Sequence, residues 1–416
     1  MKKTFVAAAV LGALAGSAFA ADVTLYGVVD LGLNYQNTKA DGESAVNSFK
    51  EQAGQNSGSR WGLKGAEDLG NGYKVGFVLE NGFTADDGKL GNGGRMFGRE
   101  ANLYVTSDFG TLSFGRVGAL TSGAGSYNLT TYTPFSTGWG ELTAQKKNFW
   151  IGDRDRMDNT VTYVTPSFAG VKVYAQYSFN RDGQEDAGNE RQNDRYAAIG
   201  AKYENGPFSA ALVVDSVFYN YDATSDKDSL GVTLGASYDF EVVKLFAQAQ
   251  YGKNEKRLGL ATADGNEGSM TKDAAGGNKA WSKDYVKVLS DEGWKGYGLS
   301  FGATAPVLGG TVYAQANYLD AKTVSAVKFE ANTKVDANGD AVGTTSKDDI
   351  KSGEIDQVKA KNWGIALGYS YPFSKRTFAY TYASYNELKT TIKTAGESDS
   401  GKDKNTEFGF GLVHKF

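Results

Sequence analysis

The chain has 416 residues, with 44 Lys and Arg against 48 Asp and Glu, one histidine and no cysteine. The absent cysteines remove disulfides, thiolate nucleophiles and cysteine-ligated metals, and a single histidine, His414, leaves no His-paired catalysis and no multi-histidine metal site. A formal charge of −4 argues against a nucleic-acid partner, which needs clustered excess cations, and a mean hydropathy of −0.41 excludes a helical membrane protein but not a membrane barrel.

In chain order, Met1-Lys2-Lys3, an apolar run from Phe5 to Leu14 and small residues at Ala18 and Ala20 read as a secretory signal peptide over 1–20, cleaved after Ala20. The mature chain 21–416 carries a formal charge of −6 and is expected to be exported. It opens on period-2 alternation: Val23, Leu25, Val29, Leu31, Leu33 and Tyr35 oppose Thr24, Tyr26, Asp30 and Asn34. The pattern recurs at 171–179, 230–240 and 362–373, and Phe408, Phe410, Leu412, His414 and Phe416 close the chain. Pro166, Pro207, Pro306 and Pro372 fall at breaks between such runs, where a residue without an N–H is tolerated. With tight breaks at 67–71, 107–110 and near Glu241 they make seven short turns. These alternate with eight long polar connections, at about 37–58, 84–95, 117–148, 180–193, 222–228, 254–294, 323–360 and 387–404.

Seven short turns and eight long loops in strict alternation require sixteen strands with both termini at the short-turn rim. The predicted fold is therefore all-β, a 16-stranded antiparallel transmembrane barrel. A soluble sandwich would show a polar outer face, whereas here one face of nearly every strand is apolar and the other polar or glycine. No fixed period supports a solenoid. Sixteen strands enclose a lumen too wide for side chains to plug.

Arg60 and Lys64 alternate with Trp61 and Leu63, so both point into that lumen, and Arg154 and Arg156 share the parity of Thr160 and Thr162. The longest uncharged stretch of the mature chain, 117–140, contains Tyr127, Tyr132, Pro134, Phe135 and Trp139. Such a segment can lie against an inner wall without desolvating an ionised group.

Three stretches carry a family resemblance: Arg60-Trp61-Gly62-Leu63-Lys64-Gly65-Ala66-Glu67-Asp68-Leu69-Gly70-Asn71-Gly72, Tyr371-Pro372-Phe373-Ser374-Lys375-Arg376-Thr377 and Gly411-Leu412-Val413-His414-Lys415-Phe416. The whole mature chain resembles the general trimeric porins of Gram-negative bacteria, close to the betaproteobacterial subgroup. The resemblance implies an outer-membrane homotrimer, surrounded by membrane lipid and lipopolysaccharide, that passes small hydrophilic solutes and ions by diffusion. It implies that the aromatic terminus, Phe416, is read by the barrel-assembly machinery and that the third long loop folds inward to narrow the pore. It places a basic cluster at Arg60, Arg99 and one of Arg154 or Arg156, facing carboxylates of that loop. The chain departs from enterobacterial relatives in Pro134-Phe135-Ser136, where they carry an acidic residue, and in Val28, where they carry lysine. Glu141 is the nearest acidic candidate, so a basic-dominated constriction and a mild anion preference are expected.

If Arg99 faces the lumen, Glu100 and Asn102 fall on the outer wall, and Arg116 shares the parity of Leu112 and Phe114. A lipid-facing cation costs roughly 2–4 kcal/mol at mid-depth. Adjacent polar residues there are expected at a subunit interface, with a register-flipping bulge as the competing account. No enzyme site survives: His414 has no nucleophile or base partner, no phosphate-binding glycine loop is present, and Asp336-Ala337-Asn338-Gly339-Asp340 fails as a calcium loop at Ala341 and Lys347. No metal or cofactor is expected. Two other functions remain open on sequence. One is a substrate-selective porin with Tyr127, Tyr132 and Trp139 as a stacking track; the other is an occluded surface barrel acting as adhesin or anchor.

Overall fold

The computed structural model describes residues 23–135, 139, 146–152, 154–183, 193–219, 227–258, 293–329, 334–335, 341–343 and 353–416. The signal peptide over 1–20, Glu141 and the 336–340 stretch lie outside the described residues. The strands are β1 (Thr24–Lys39), β2 (Val46–Ala53), β3 (Arg60–Gly70), β4 (Tyr73–Gly82), β5 (Glu100–Ser107), β6 (Gly110–Gly118), β7 (Arg156–Val164), β8 (Val171–Ser178), β9 (Arg195–Asn205), β10 (Phe208–Phe218), β11 (Leu230–Asp239), β12 (Lys244–Glu255), β13 (Trp294–Val307) and β14 (Gly310–Thr323). After four short loop strands, β15 (Val327–Phe329), β16 (Lys334–Val335), β17 (Ala341–Gly343) and β18 (Gly353–Ile355), come β19 (Gln357–Pro372), β20 (Thr377–Thr394) and β21 (Glu397–Lys415).

Among the described residues, sixteen strands form the wall: β1, β3 to β14 and β19 to β21, each antiparallel to its neighbours. The ladder from Val28↔Lys415 to Lys39↔Lys404 joins β1 to β21 and closes the cylinder, so neither of these terminal strands is left as an open edge. Seven short turns lie at one rim, where the terminal Phe416 exchanges backbone hydrogen bonds with Gly27 at 3.0 and 3.1 Å. Two-residue turns with positive φ at both positions, Asn71-Gly72 and Leu308-Gly309, match the twist of their hairpins.

The faces are inverted relative to a soluble protein. Leu103, Phe114, Ile199, Leu234, Phe301 and Leu367 are exposed on the outside, while Asn34, Thr162, Gln176, Thr233, Gln248, Ser300, Asn317 and Asn386 are buried on the inside. That arrangement is favourable when hydrocarbon surrounds the cylinder and water enters it.

Two features differ from the sequence reading. The 387–404 connection is not a loop: β20 and β21 stay paired from Glu387↔Lys404 to Thr394↔Glu397, around a turn at Ala395-Gly396. Its polar composition resembles a loop because a hairpin standing above the membrane needs no apolar face. The second wall position is also split. β3 pairs with the lower half of β1 (Val28↔Arg60) and β2 with the upper half (Leu31↔Ala53), and residues 54–59 leave the wall between them. The Asp30 carboxylate holds this kink, accepting the Asn56 and Ser57 amides and the Tyr380 hydroxyl, each at 2.7 Å.

Candidate pore constriction

The third loop leaves β6 at Gly118 and runs around the inner wall, tied in succession to the strands it passes. Leu120 N donates to Gln176 Oε1 of β8 at 3.1 Å, Thr121 Oγ1 to Asp215 Oδ2 of β10 at 2.9 Å, and Phe135 N to Gln315 Oε1 of β14 at 3.2 Å. Tyr132 shares a 2.9 Å hydrogen bond with Ser209 of β10, and Trp139 N donates to the Gln55 carbonyl in the wall kink. On the return path Ile151 N reaches Gln250 Oε1 of β12 at 2.8 Å, and Asn362 of β19 reaches the Asn148 carbonyl at 2.7 Å. Inward glycines give the loop room. A Cβ at Gly200 would come 2.6 Å from Leu129, one at Gly368 2.9 Å from Phe135, and one at Gly235 would enter the Tyr132 ring.

Tyr127, Tyr132, Phe135 and Trp139 are all buried. Phe135 and Trp139 form a cluster with Val28, Tyr313, Tyr380 and Tyr382, Trp139 lying 4.7 Å from Tyr313 and 5.6 Å from Tyr380 between ring centroids. Val28 thus supports the loop from the first strand. Pro134 stands over Gly302 of β13. Burial pushes the Tyr127 and Tyr132 phenols up, so both rings remain neutral at physiological pH. These aromatics fix the loop to the wall rather than line a track.

Beside it, from the strand next to Val28, begins a basic cluster around Glu80. Glu80 of β4 accepts Arg99 Nε at 2.6 Å and the Tyr26 hydroxyl at 3.0 Å, and Arg60 Nε lies 3.6 Å away. Arg60 also donates to the Gly58 carbonyl of the kink at 2.9 Å. Lys64 is exposed on the inner face, with its ammonium 5.2 Å from the centre of the Tyr26 ring. Arg156 bonds Asp155 at 3.1 Å and feels the charges of Arg99, Arg116 and Glu80. Arg60 and Arg99 therefore share Glu80, with Lys64 on the same inner face and Arg156 paired to Asp155.

Arg154 is removed from this group. Its guanidinium is buried, 2.7 Å from Glu255, 2.8 Å from Asp215 and 3.0 Å from the Ser229 hydroxyl. Burial opposes its charge, but Asp215 and Glu255 outweigh that and hold its pKa well above the ordinary value. It braces the base of the third loop and carries no free charge to a solute.

The expected outer-wall triad is also redistributed. Glu100 and Asn102 pair directly with Glu80 and Val78, so they share the inner face. Glu100 accepts the Ser126 hydroxyl of the third loop and the Asn102 amide, both at 2.5 Å. The parity count from Arg99 fails because Arg99 precedes the β5 ladder, so Arg99 and Glu100 both turn inward. Arg116 pairs with Ala101 on the outer wall but is covered by its own chain: it donates to the Gly98 carbonyl at 2.8 Å and lies 2.6 Å from Asp158, which also binds Arg95 at 2.7 Å. Asp158 and Asn159 of β7 lie opposite Arg116 alone, a β-bulge that shifts the ladder, so the parity of Thr160 and Thr162 does not carry through to Arg156. Sequence reading missed Glu80, Asp30, Asp215 and Glu255. Glu80 was signalled by standing two positions before Gly82 on the inward parity; the other three depend on partners far away in the chain.

The Gram-negative porin family model matches residues 7–416. The chain belongs to the Gram-negative porin family. It is 33% identical to an outer membrane porin protein of Bordetella pertussis, with both chains fully covered, and 34% identical to outer membrane porin protein 32 of Delftia acidovorans over 62% of this chain and 72% of that one. Among solved structures it is similar to an anion-selective porin from Comamonas acidovorans, at 26% identity and a TM-score of 0.61, covering 95% of this chain and all of that one. It is thus an outer-membrane porin, whose barrel forms a water-filled channel for passive diffusion of small hydrophilic solutes and ions.

Proposed function

We propose that this porin prefers anions mildly and that Arg60, Arg99, Arg156 and Lys64 set the bias, with the docked third loop setting the size limit. The observation that carries this is the excess of four cations, Arg60, Lys64, Arg99 and Arg156, over the three carboxylates beside them, Glu80, Glu100 and Asp155. The similarity to an anion-selective porin supports it. Unit charges 4 Å apart interact by about 1 kcal/mol in water and about 4 kcal/mol at an effective dielectric near 20, and salt in a wet pore favours the smaller value. A few arginines therefore give a several-fold to tens-fold preference, a bias rather than a filter. Export through residues 1–20, recognition of Phe416 by the assembly machinery, a homotrimeric state and a surround of lipid and lipopolysaccharide complete the proposal on family grounds.

Bilayer recording in a KCl gradient tests it. Replacing Arg60 and Arg99 with Glu should move the zero-current potential toward cations, and an unmoved potential removes both residues from the selectivity site. A sugar- or aromatic-selective track is disfavoured by the burial of Tyr127, Tyr132 and Trp139. Stepwise conductance excludes an occluded barrel.

A further inference from the structure

The wall kink at 54–59 touches both halves of the constriction. Its Gly58 carbonyl and Ser57 hydroxyl accept Arg60 Nη1 at 2.9 and 3.2 Å, and a Cβ at Gly58 would come 3.2 Å from Arg99 Nη1. Its Gln55 carbonyl accepts the Trp139 amide of the third loop. A short segment between β2 and β3 therefore aims a pore guanidinium through 57 and 58 and holds the loop through 55.

Backbone outside a ladder takes its shape from whatever accepts its N–H groups. Here that is Asp30 of β1, a residue with 0% exposure that meets no solute. The Asp30 carbonyl accepts the Gly54 amide at 3.0 Å, and the Asp30 amide donates to the Ser59 hydroxyl at 3.1 Å, which fixes both ends of the kink. Between them, Oδ2 of the carboxylate accepts the Asn56 and Ser57 amides, and Oδ1 accepts the Tyr380 hydroxyl of β20. Gly54, Asn56, Ser57 and Ser59 are thus all gathered by one residue. The Gln55 side chain is held apart from it, accepting the Tyr382 hydroxyl at 2.9 Å and the Asn34 amide at 3.2 Å.

We infer that Asp30 is a positioning residue for ion selectivity, acting through the kink to set where Arg60 and the third loop stand in the pore. The inference rests on Arg60 as a selectivity residue and goes beyond it, because it assigns selectivity to a side chain outside the passage. What acts is the reach of two oxygens, not the charge. Asparagine can turn its oxygen to the Asn56 and Ser57 amides and its NH2 to the Tyr380 oxygen, whereas glutamate keeps the charge but carries its oxygens one methylene further.

The test is planar-bilayer recording of the full-length porin, reading the permeability ratio in a KCl gradient and the single-channel conductance at equal salt. Asp30→Asn should match wild type in both. Asp30→Glu should lower the anion-to-cation ratio roughly two- to fivefold, the share of one displaced charge in a wet pore, and alter the conductance, since the loop shifts with the kink. Asp30→Ala adds no volume and should lower the ratio likewise, so the test stands if the longer side chain prevents folding. Wild-type ratio and conductance in the Glu and Ala channels, with only a lower unfolding midpoint, would reduce Asp30 to a structural role and overturn the inference. A shifted ratio in Asp30→Asn would also overturn it, because charge would then be the cause. Arg154→Met loosens a different buried cluster and should keep the wild-type ratio; an equal fall there would assign the effect to general loosening and equally overturn it. Failure of the anion reading shows separately, as an unmoved potential in the Arg60→Glu, Arg99→Glu channel, while the conductance of the Asp30 variants still decides whether the kink holds the loop.

Discussion

At the scale of single residues, Glu80 governs how much positive charge the lumen presents. It is shared by Arg60, Arg99 and Tyr26, so its removal frees two guanidiniums at once. Glu80→Gln keeps the shape and is expected to strengthen anion preference several-fold; a reversal potential unchanged from wild type would show that Glu80 does not tune the pore. Arg154 belongs to stability instead. Arg154→Met strands two buried carboxylates, for which a loss of about 3–5 kcal/mol is typical, measured as a lower thermal unfolding midpoint with selectivity retained in the folded fraction. Arg60 and Lys64 were legible in the sequence because they sit in an uninterrupted ladder where parity fixes direction. Arg99 was legible through family likeness alone, and the choice between Arg154 and Arg156 was not legible at all. It turns on Asp215 and Glu255, 61 and 101 residues away, which no local pattern reveals.

At the scale of elements, the third loop and the glycines beneath it act as one unit. Its lack of charge announced that it could lie against a wall, but its path was unreadable, since the path is set by inward glutamines and glycines scattered over seven later strands. Gly235 has an ordinary strand φ, so a methyl group there is a steric test free of backbone strain. Gly235→Ala is expected to push Tyr132 and the loop off the wall, at a cost of about 1–3 kcal/mol as for other overpacked sites, and to alter single-channel conductance. Wild-type conductance and stability would mean that the loop does not bear on β11. The wall kink at 54–59 was hidden because its polar residues read as part of a long surface loop, whereas the buried Asp30 carboxylate turns them inward.

At the scale of the whole molecule, the sixteen-strand count was legible because turn length alternates and prolines mark strand ends. The hairpin at 387–404 escaped because alternation of apolar residues is a signature of lipid contact, not of strands in general. Lipid contact also makes an asymmetric prediction. Leu367 lies outward, midway between Trp363 and Tyr371 on β19, so Leu367→Arg should cost roughly 2–4 kcal/mol in folding into bilayers. A cost near zero would place that position away from hydrocarbon.

The most direct measurement exploits the absence of native cysteine. Single cysteines at Lys64, Lys172 and Lys202 on the inner face, and at Leu63, Val173 and Ala201 on the outer, are exposed to a charged, membrane-impermeant thiol reagent while bilayer current is recorded. Rapid reaction with a drop in current is predicted for the first three and protection for the second three. Equal reactivity in both sets, or reaction confined to the second set, would contradict a water-filled cylinder walled against lipid.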